Sequence, residues 1–301
     1  MENDSNGHKR ALHFDRAPQR VVSLVPSLTE SLFDLGVGEA LVGVTDYCIH
    51  PAEKLAHLPR LGGTKNPRVN EIIALQPDLV LANWEENTRR TVEELEAAGA
   101  PVWVTLPLTV RETLDMLHTL AALFRSPAAD LRVQMLDLTL DWAISAAAEN
   151  AGVRYFCPIW QDATQNGQLW WMTFNQQTYC HDLLAISGGI NVFAERQRRY
   201  PLAADLGLAP ERPAPGRDLR YPRVTLDEVL SAQPEVILLP DEPYPFSQQD
   251  VERLARLFSA TPAGRENRIH LVEGSLITWA GTRLARALRE LPSLFEPRSN
   301  S

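Results

Sequence analysis

Aromatic rings and carboxylates recur in the short stretches that follow apolar runs of this 301-residue sequence. Tyr47, Trp84, Trp160, Trp170, Trp171, Tyr221, Tyr244 and Trp279 fall there, many of them outside any helical period. Rings gathered on loops make an apolar surface suited to a large, flat or rigid ligand. Taken singly, each ring is explained as well by packing within its own domain. Two acids stand in the same stretches, Glu85 and Glu242, 157 residues apart. They read either as acceptors for a cation or for ligand amides, or as solvated loop carboxylates.

Catalytic patterns are missing. The sequence contains no GxGxxG or Walker stretch, no GxSxG elbow, and no HExxH or paired-histidine spacing that would make metal ligands of His50 and His181. A histidine alone on a loop reads as a surface residue. Cys48, Cys157 and Cys180 are odd in number, far apart and without a CxxC, so neither a disulfide framework nor a zinc knuckle is indicated. The expectation is a protein that is not an enzyme, requires no cofactor and holds no metal through its own side chains.

The elements that must position these loops follow from periodicity. Composition is that of an ordinary globular chain, 45% hydrophobic and 22% charged, and a net charge of −9 argues against a nucleic-acid partner. No apolar run approaches the roughly 18 residues of a membrane span. Residues 1–19 are polar and read as a flexible arm. They lack a signal h-region, so the sequence as written reads as cytoplasmic, or as extracytoplasmic if a leader has been removed. Apolar strands are expected at 21–25, 40–44, 79–82, 102–104, 153–157 and 269–272, alternating with helices, which specifies mostly parallel α/β sheets. Ser27, with Glu30 three residues on, is expected to form a capping box that aims free N–H groups beyond the first strand's carboxyl end, where ligands sit in open α/β sheets.

Residues 126–150 read as one long helix, with Ser126 as N-cap, Pro127 in the first turn and Gly152 past its end. Leu131, Met135, Leu138 and Trp142 form one apolar stripe, and Val133, Leu136, Leu140, Ile144 and Ala147 form another nearly opposite. Two opposed stripes predict a strut clamped between two bodies. The segments VNEIIALQPDLVLA and LDEVLSAQPEVILL support two bodies, because Glu71 and Glu228, Gln76 and Gln233, and Pro77 and Pro234 are each 157 residues apart. A repeat at that distance suits two similar lobes. The expected division is a lobe over 20–125, the connecting helix over 126–150 and a second lobe over 151–301. Thr225 caps Glu228 in the second copy, whereas Arg68 stands at the matching position before Glu71, so capping accounts for one glutamate better than the other.

Together RVVSLVPSLTE, GVTDYCIHP, GGTKNP, EIIALQPDLVLA, SGGINVF and DEVLSAQPEVILL resemble the iron-siderophore and vitamin B12 substrate-binding proteins of ABC importers, over about residues 20–291. Without a leader, the chain is most similar to the branch described as helical-backbone metal receptors. The resemblance implies two α/β lobes joined by one rigid helix and a monomer without membrane insertion. It also implies a cleft between the lobes that captures a metal-containing macrocycle or chelate, cobalamin ahead of a ferric siderophore. It places Tyr47 at a corrin-contacting tyrosine, Tyr221 at an aromatic of the second lobe and Ser275, Thr278 and Trp279 in the last contacting loop, and it assigns docking on an ABC permease to Glu71 and Glu228; with Ser27, Lys65, Trp84, Glu85, Trp160, Trp171, Glu242 and Tyr244 of the other strand-end loops these make up the expected ligand-binding set. Two positions differ from the vitamin B12-binding members: Lys65 stands where they carry a tryptophan, and Glu85-Glu86 replaces a small glycine-containing loop. The alternative is a cytosolic corrinoid- or metal-handling protein or enzyme using the same cleft.

Overall fold

The computed structural model describes residues 15–147 and 152–296. Most of the expected N-terminal arm and the last residues of the expected connecting helix lie outside them. The chain divides into two compact units, one running up to Leu138 and including Trp279–Leu284, the other formed by Thr139–Thr278 and the chain from Ala285 onward. The stretch Trp279–Leu284 groups with the first unit.

In the first unit β1 (Val21–Ser23), α1 (Pro26–Asp34), β2 (Leu41–Val44), α2 (Ala52–Leu55), α3 (Val69–Ala74), β3 (Leu79–Asn83), α4 (Arg89–Ala97), β4 (Val102–Thr105) and α5 (Val110–Leu123) follow in order. The strands form a parallel sheet ordered β2-β1-β3-β4. Its core gathers Val22, Leu24, Val80 and Ala82 of the strand region with Ile72 and Leu95 of the covering helices. Thr88 and Thr109 start α4 and α5 by accepting from the backbone N–H three residues on, which satisfies donors that have no partner in a helix's first turn.

Helix α6 (Pro127–Ala147) leads into the second unit. There β5 (Val153–Phe156), β6 (Trp160–Ala163), β7 (Leu169–Met172), α7 (Tyr179–Ile186), β8 (Gly189–Asn191), α8 (Leu202–Asp205), β9 (Arg223–Thr225), α9 (Leu226–Ala232), β10 (Val236–Pro240), α10 (Gln248–Leu257), α11 (Pro262–Arg265), β11 (Ile269–Val272), α12 (Ser275–Thr278) and α13 (Leu284–Glu290) follow. The parallel sheet is ordered β11-β10-β5-β8. Counted within its own unit, each sheet runs second, first, third, fourth strand. An antiparallel sheet β6-β7-β9 is added in the second unit, where the sequence reading has an aromatic stretch and a long loop. Asn166-Gly167, with Gly167 at φ +79°, closes its hairpin, and an Asn-Gly pair between short apolar runs is a sequence signal for such a turn.

The repeat has a structural cause. Gln76 and Gln233 both take left-handed backbone, at φ 47° and 46°, ending α3 and α9 before the proline. The acid that follows then clamps a neighbouring strand's entry. Asp78 accepts from the N–H groups of Gln19 and Arg20, while Arg20 donates to the carbonyl of Leu75. In the second copy Glu235 accepts from the N–H of Arg154, whose side chain donates to the carbonyl of Ala232. Leu75 and Ala232 are again 157 apart, so the same strand entry is built twice.

Two expectations are corrected. Helix α6 is not buried on both stripes. Val133, Leu136, Leu140 and Ala143 are at most 9% exposed, but Leu131, Met135, Leu138 and Trp142 are 60%, 57%, 64% and 72% exposed, and Ile144 is also open. The buried stripe's side is anchored in part by His118 and Arg111 of α5 against Asp137. The capping box of Ser27 and Glu30 does not form. Pro26 occupies the first helical turn and Val25 is the N-cap, with no side-chain cap, so Ser27 lies inside α1. Glu30 instead receives a two-point hydrogen bond from Arg283, at 2.8 and 2.6 Å.

Candidate functional site

In the first unit the candidate residues sit on loops leaving the carboxyl ends of parallel strands. Tyr47 follows β2 and is 63% exposed; Trp84 follows β3 and is 52% exposed. Leaving a large apolar side chain open forgoes burial worth roughly 1.5–3 kcal/mol when complete, so packing within the unit does not account for where these two rings stand. The Trp84 loop is held on a built frame. Buried Asn87 donates to the carbonyls of Leu24 and Thr64 and accepts from the N–H of Asn83, tying three strand-end loops together. Asn83 in turn accepts from the N–H of Glu85. Lys65 donates to the carbonyl of Glu85. Burial pushes the neighbouring Glu86 carboxyl up, opposed by the Lys65 charge and a Thr64 hydrogen bond. Ser27 is half-buried at the start of α1.

Trp279 joins this unit. Its ring meets His50 edge-on at 6.0 Å, and the Arg283 guanidinium lies 4.8 Å from its centroid. The segment is pinned by Arg283 on Glu30 and by Thr282, which donates to Asp34 at 2.6 Å and whose N–H donates to Ser31. Burial raises the Asp34 carboxyl, the Thr282 hydrogen bond opposing it.

In the second unit Trp160 is 39% exposed and meets Tyr244 edge-on at 5.5 Å. Gln161 steadies Tyr244 by donating to its hydroxyl, and also donates to Asp250. Tyr221 lies half-buried beneath the Arg220 guanidinium, 5.4 Å from its centroid. After β10 and β11 a second cluster forms: Thr278 donates to Glu242 at 3.2 Å, Ser275 donates to Glu273, and the N–H of Gly274 donates to Asp241. Gly274 is required here, because a Cβ would lie 2.5–2.8 Å from the side chain and backbone of Glu242. The structure thus brings Glu242, Ser275 and Thr278 into one loop cluster and Trp160 and Tyr244 into another.

Trp171 is corrected. It is fully buried, packed against Phe258 at 5.2 Å in a core with Phe156, Phe193 and Leu239, so it supports the second unit rather than contacting a ligand. Trp170 is buried as well. Asn83, Asn87 and Glu86, which frame the first unit's loops, carry no signal in one sequence, because a polar residue after a strand reads as solvated.

The paired glutamates are both engaged. Glu71 accepts from Arg68 at 2.7 Å on an exposed surface and lines an open depression of about 670 Å³ with Val69, Asn70, Ile73 and Glu94. Glu228 completes the capping box with Thr225 and accepts from Arg196 at 3.0 Å, and Arg196 also pairs with buried Asp205. Capping therefore accounts for Glu228, as its sequence context indicates.

Known proteins share this organisation. The family described as periplasmic binding protein matches residues 21–274. The vitamin B12-binding protein of Vibrio cholerae is 25% identical over 225 residues, 73% of this chain and 69% of that one. The crystal structure of the periplasmic vitamin B12 binding protein BtuF of Vibrio cholerae matches with a TM-score of 0.72 at 21% identity, covering 92% of this chain and 96% of that one. The periplasmic heme-binding protein RhuT from Roseiflexus sp. RS-1 matches with a TM-score of 0.71 at 23% identity, covering 92% and 97%.

Proposed function

We propose, from the premise that this chain belongs to the periplasmic binding protein family, that it binds a metal-containing macrocycle or chelate without turning it over, with cobalamin first and a ferric siderophore next. The carrying observation is the set of rings at strand ends, with Tyr47 and Trp84 open in the first unit and Trp160 open beside half-buried Tyr244 in the second. Flat or rigid ligands of this size offer large apolar faces to rings and a periphery of amides or carboxylates to polar loops. Lys65, Glu85, Glu242, Ser275 and Thr278 supply donors and acceptors of the second kind. Tyr221 and Trp279 extend the ring contacts, each beside an arginine. Relatives of this chain are vitamin B12-binding proteins, which supports the corrinoid over other chelates. The family's periplasmic members favour work outside the cytoplasmic membrane, in partnership with an ABC permease, over the cytosolic alternative. Among the described residues no helix is long and apolar enough to cross a membrane.

The test is equilibrium quenching of tryptophan fluorescence by cyanocobalamin, with haemin and a ferric hydroxamate as comparisons. Trp84→Ala and Tyr221→Ala should each weaken cyanocobalamin binding by about 1–3 kcal/mol with unchanged folding. Unchanged affinity for all three compounds in both variants, or no binding of any by the wild type, refutes the reading.

A further inference from the structure

Around α8 and the start of β9 the second unit gathers more arginines than acids to pair them. Arg196 pairs with Asp205 and Glu228, and Arg220 donates to both oxygens of Asp218, at 2.9 and 2.7 Å. Arg198, Arg217 and Arg223 are left without a carboxylate in salt-bridge contact among the described residues. The first two meet on one ring instead. Their guanidinium carbons lie 4.3 and 5.0 Å from the centroid of Tyr200, so the two groups are no further apart than the sum of those distances. Arg223 donates one long hydrogen bond to the carbonyl of Tyr221, at 3.4 Å, and its Nε is buried with no hydrogen bond at all. Arg198 lies in the same neighbourhood: burial pushes the Arg223 guanidinium down, and the charge of Arg198 adds to the effect, against Asp205 and Tyr200.

A hydrogen-bonded frame holds the three in place. Buried Asp205 accepts from the N–H groups of Arg199 and Arg223, which ties the chain beside Arg198 to the first residue of β9, and β9 is paired with β7. The N–H of Arg198 donates to the carbonyl of Leu219, and the hydroxyl of Tyr200, a residue only 9% exposed, donates to the carbonyl of Asp218. An aromatic ring attracts a cation without neutralising it, and a guanidinium held that way keeps its N–H groups for another acceptor. Like charges brought together and partly desolvated cost free energy, which an anion among them removes. The chain as a whole is acidic, with a net charge of −9, so this local excess of cations runs against its general field.

We infer that Arg198, Arg217 and Arg223 bind one oxyanion group, a phosphodiester or a carboxylate, carried on the periphery of the ligand. The inference rests on the ligand reading above and narrows it. Tyr221, an expected ligand contact, adjoins the cluster through the hydrogen bond from Arg223 and lies beside Arg220. The planar fork of a guanidinium matches either oxyanion with two donors. Cobalamin carries one phosphodiester in its nucleotide loop, and a citrate-type ferric chelate carries carboxylates. A corrin lacking that loop and a neutral ferric hydroxamate carry neither.

Calorimetric titration of the full chain with inorganic phosphate tests the site by itself. The wild type should bind phosphate saturably, and Arg198→Met and Arg217→Met should each weaken that binding roughly tenfold, the worth of a hydrogen bond to a charged group. Arg217 is exposed, so its variant should keep the wild-type circular dichroism spectrum. Fluorescence quenching then separates the sources of the oxyanion. Cyanocobalamin should lose affinity by a similar factor in both variants, whereas dicyanocobinamide, which has the corrin and no nucleotide loop, should be held equally by all three proteins. A loss confined to ferric citrate, with a neutral ferric hydroxamate unaffected, identifies a carboxylate instead. No phosphate binding by the wild type overturns the inference, and so does equal affinity of wild type and both variants for cyanocobalamin and ferric citrate alike. Phosphate held through these arginines by a protein that binds no corrinoid or ferric chelate refutes the ligand reading while the anion site stands.

Discussion

Replacing Arg283 tests how the loop bearing Trp279 is held. The guanidinium is 7% exposed and meets Glu30, 15% exposed, through two hydrogen bonds of 2.8 and 2.6 Å. Arg283→Met keeps the apolar stem and removes the charge, leaving a nearly buried carboxylate without its cation. Breaking a buried pair from one side costs about 3–5 kcal/mol, because the orphaned charge keeps its desolvation penalty. Glu30 retains some access to water, which places the expectation near the low end, about 3 kcal/mol. Glu30→Leu together with Arg283→Met removes both charges, and a pair replaced by apolar groups of similar volume is close to neutral. Urea unfolding followed by tryptophan emission measures all four corners of the cycle, and the emission of Trp279, 4.8 Å from the guanidinium, should change in the native baseline. The double variant should recover most of the stability and still bind cyanocobalamin more weakly, since the ring has lost the group that seats it. A loss under about 1 kcal/mol in Arg283→Met, or a double variant as unstable as the sum of the singles, would refute the reasoning.

Trp171→Ala should cost about 3–5 kcal/mol of stability as a cavity in the second unit's core, whereas Trp160→Ala should leave stability nearly unchanged and weaken ligand quenching; the reverse pattern would return Trp171 to the site. Asp250 supplies a pH dependence. Burial works to raise its carboxyl, but hydrogen bonds from Arg253, Gln161 and Ser247 outweigh it and hold the group down at about 2, against an ordinary 3.8. With the folded value depressed, its stabilisation is complete above pH 3.8 and is lost as the pH falls toward about 2. Asp250→Asn should therefore flatten the urea-derived stability profile in that window, and an unaltered slope would contradict the assignment. Docking is tested with Glu71→Gln and Glu228→Gln, which preserve capping capacity. The pair should recover less permease from membranes of the source organism than wild type while binding ligand equally, and equal recovery would remove the docking role.

Much of the architecture is legible in the sequence because it is local. Alternating apolar strands and capped helices, the Gln-Pro-acid unit repeated at 157 residues and the ring-bearing loops all follow from spacing within one segment. Spacing says which side chains share a face, not which face finds a neighbour. Tertiary structure alone decided that Val133 and Leu140 of α6 are covered while Leu131 and Trp142 are open, because the covering residues come from elsewhere in the chain. It decided likewise between Trp160, at the rim of an antiparallel strand, and Trp171, eleven residues on and wholly buried against Phe258. The Ser27 and Glu30 box shows the same limit. Its spacing is correct for a cap, yet Pro26 starts the helix earlier and Arg283, 253 residues from Glu30, takes the carboxylate. A two-point ion pair withdrawn from water outweighs one exposed capping bond, and only the folded chain brings the competing groups together.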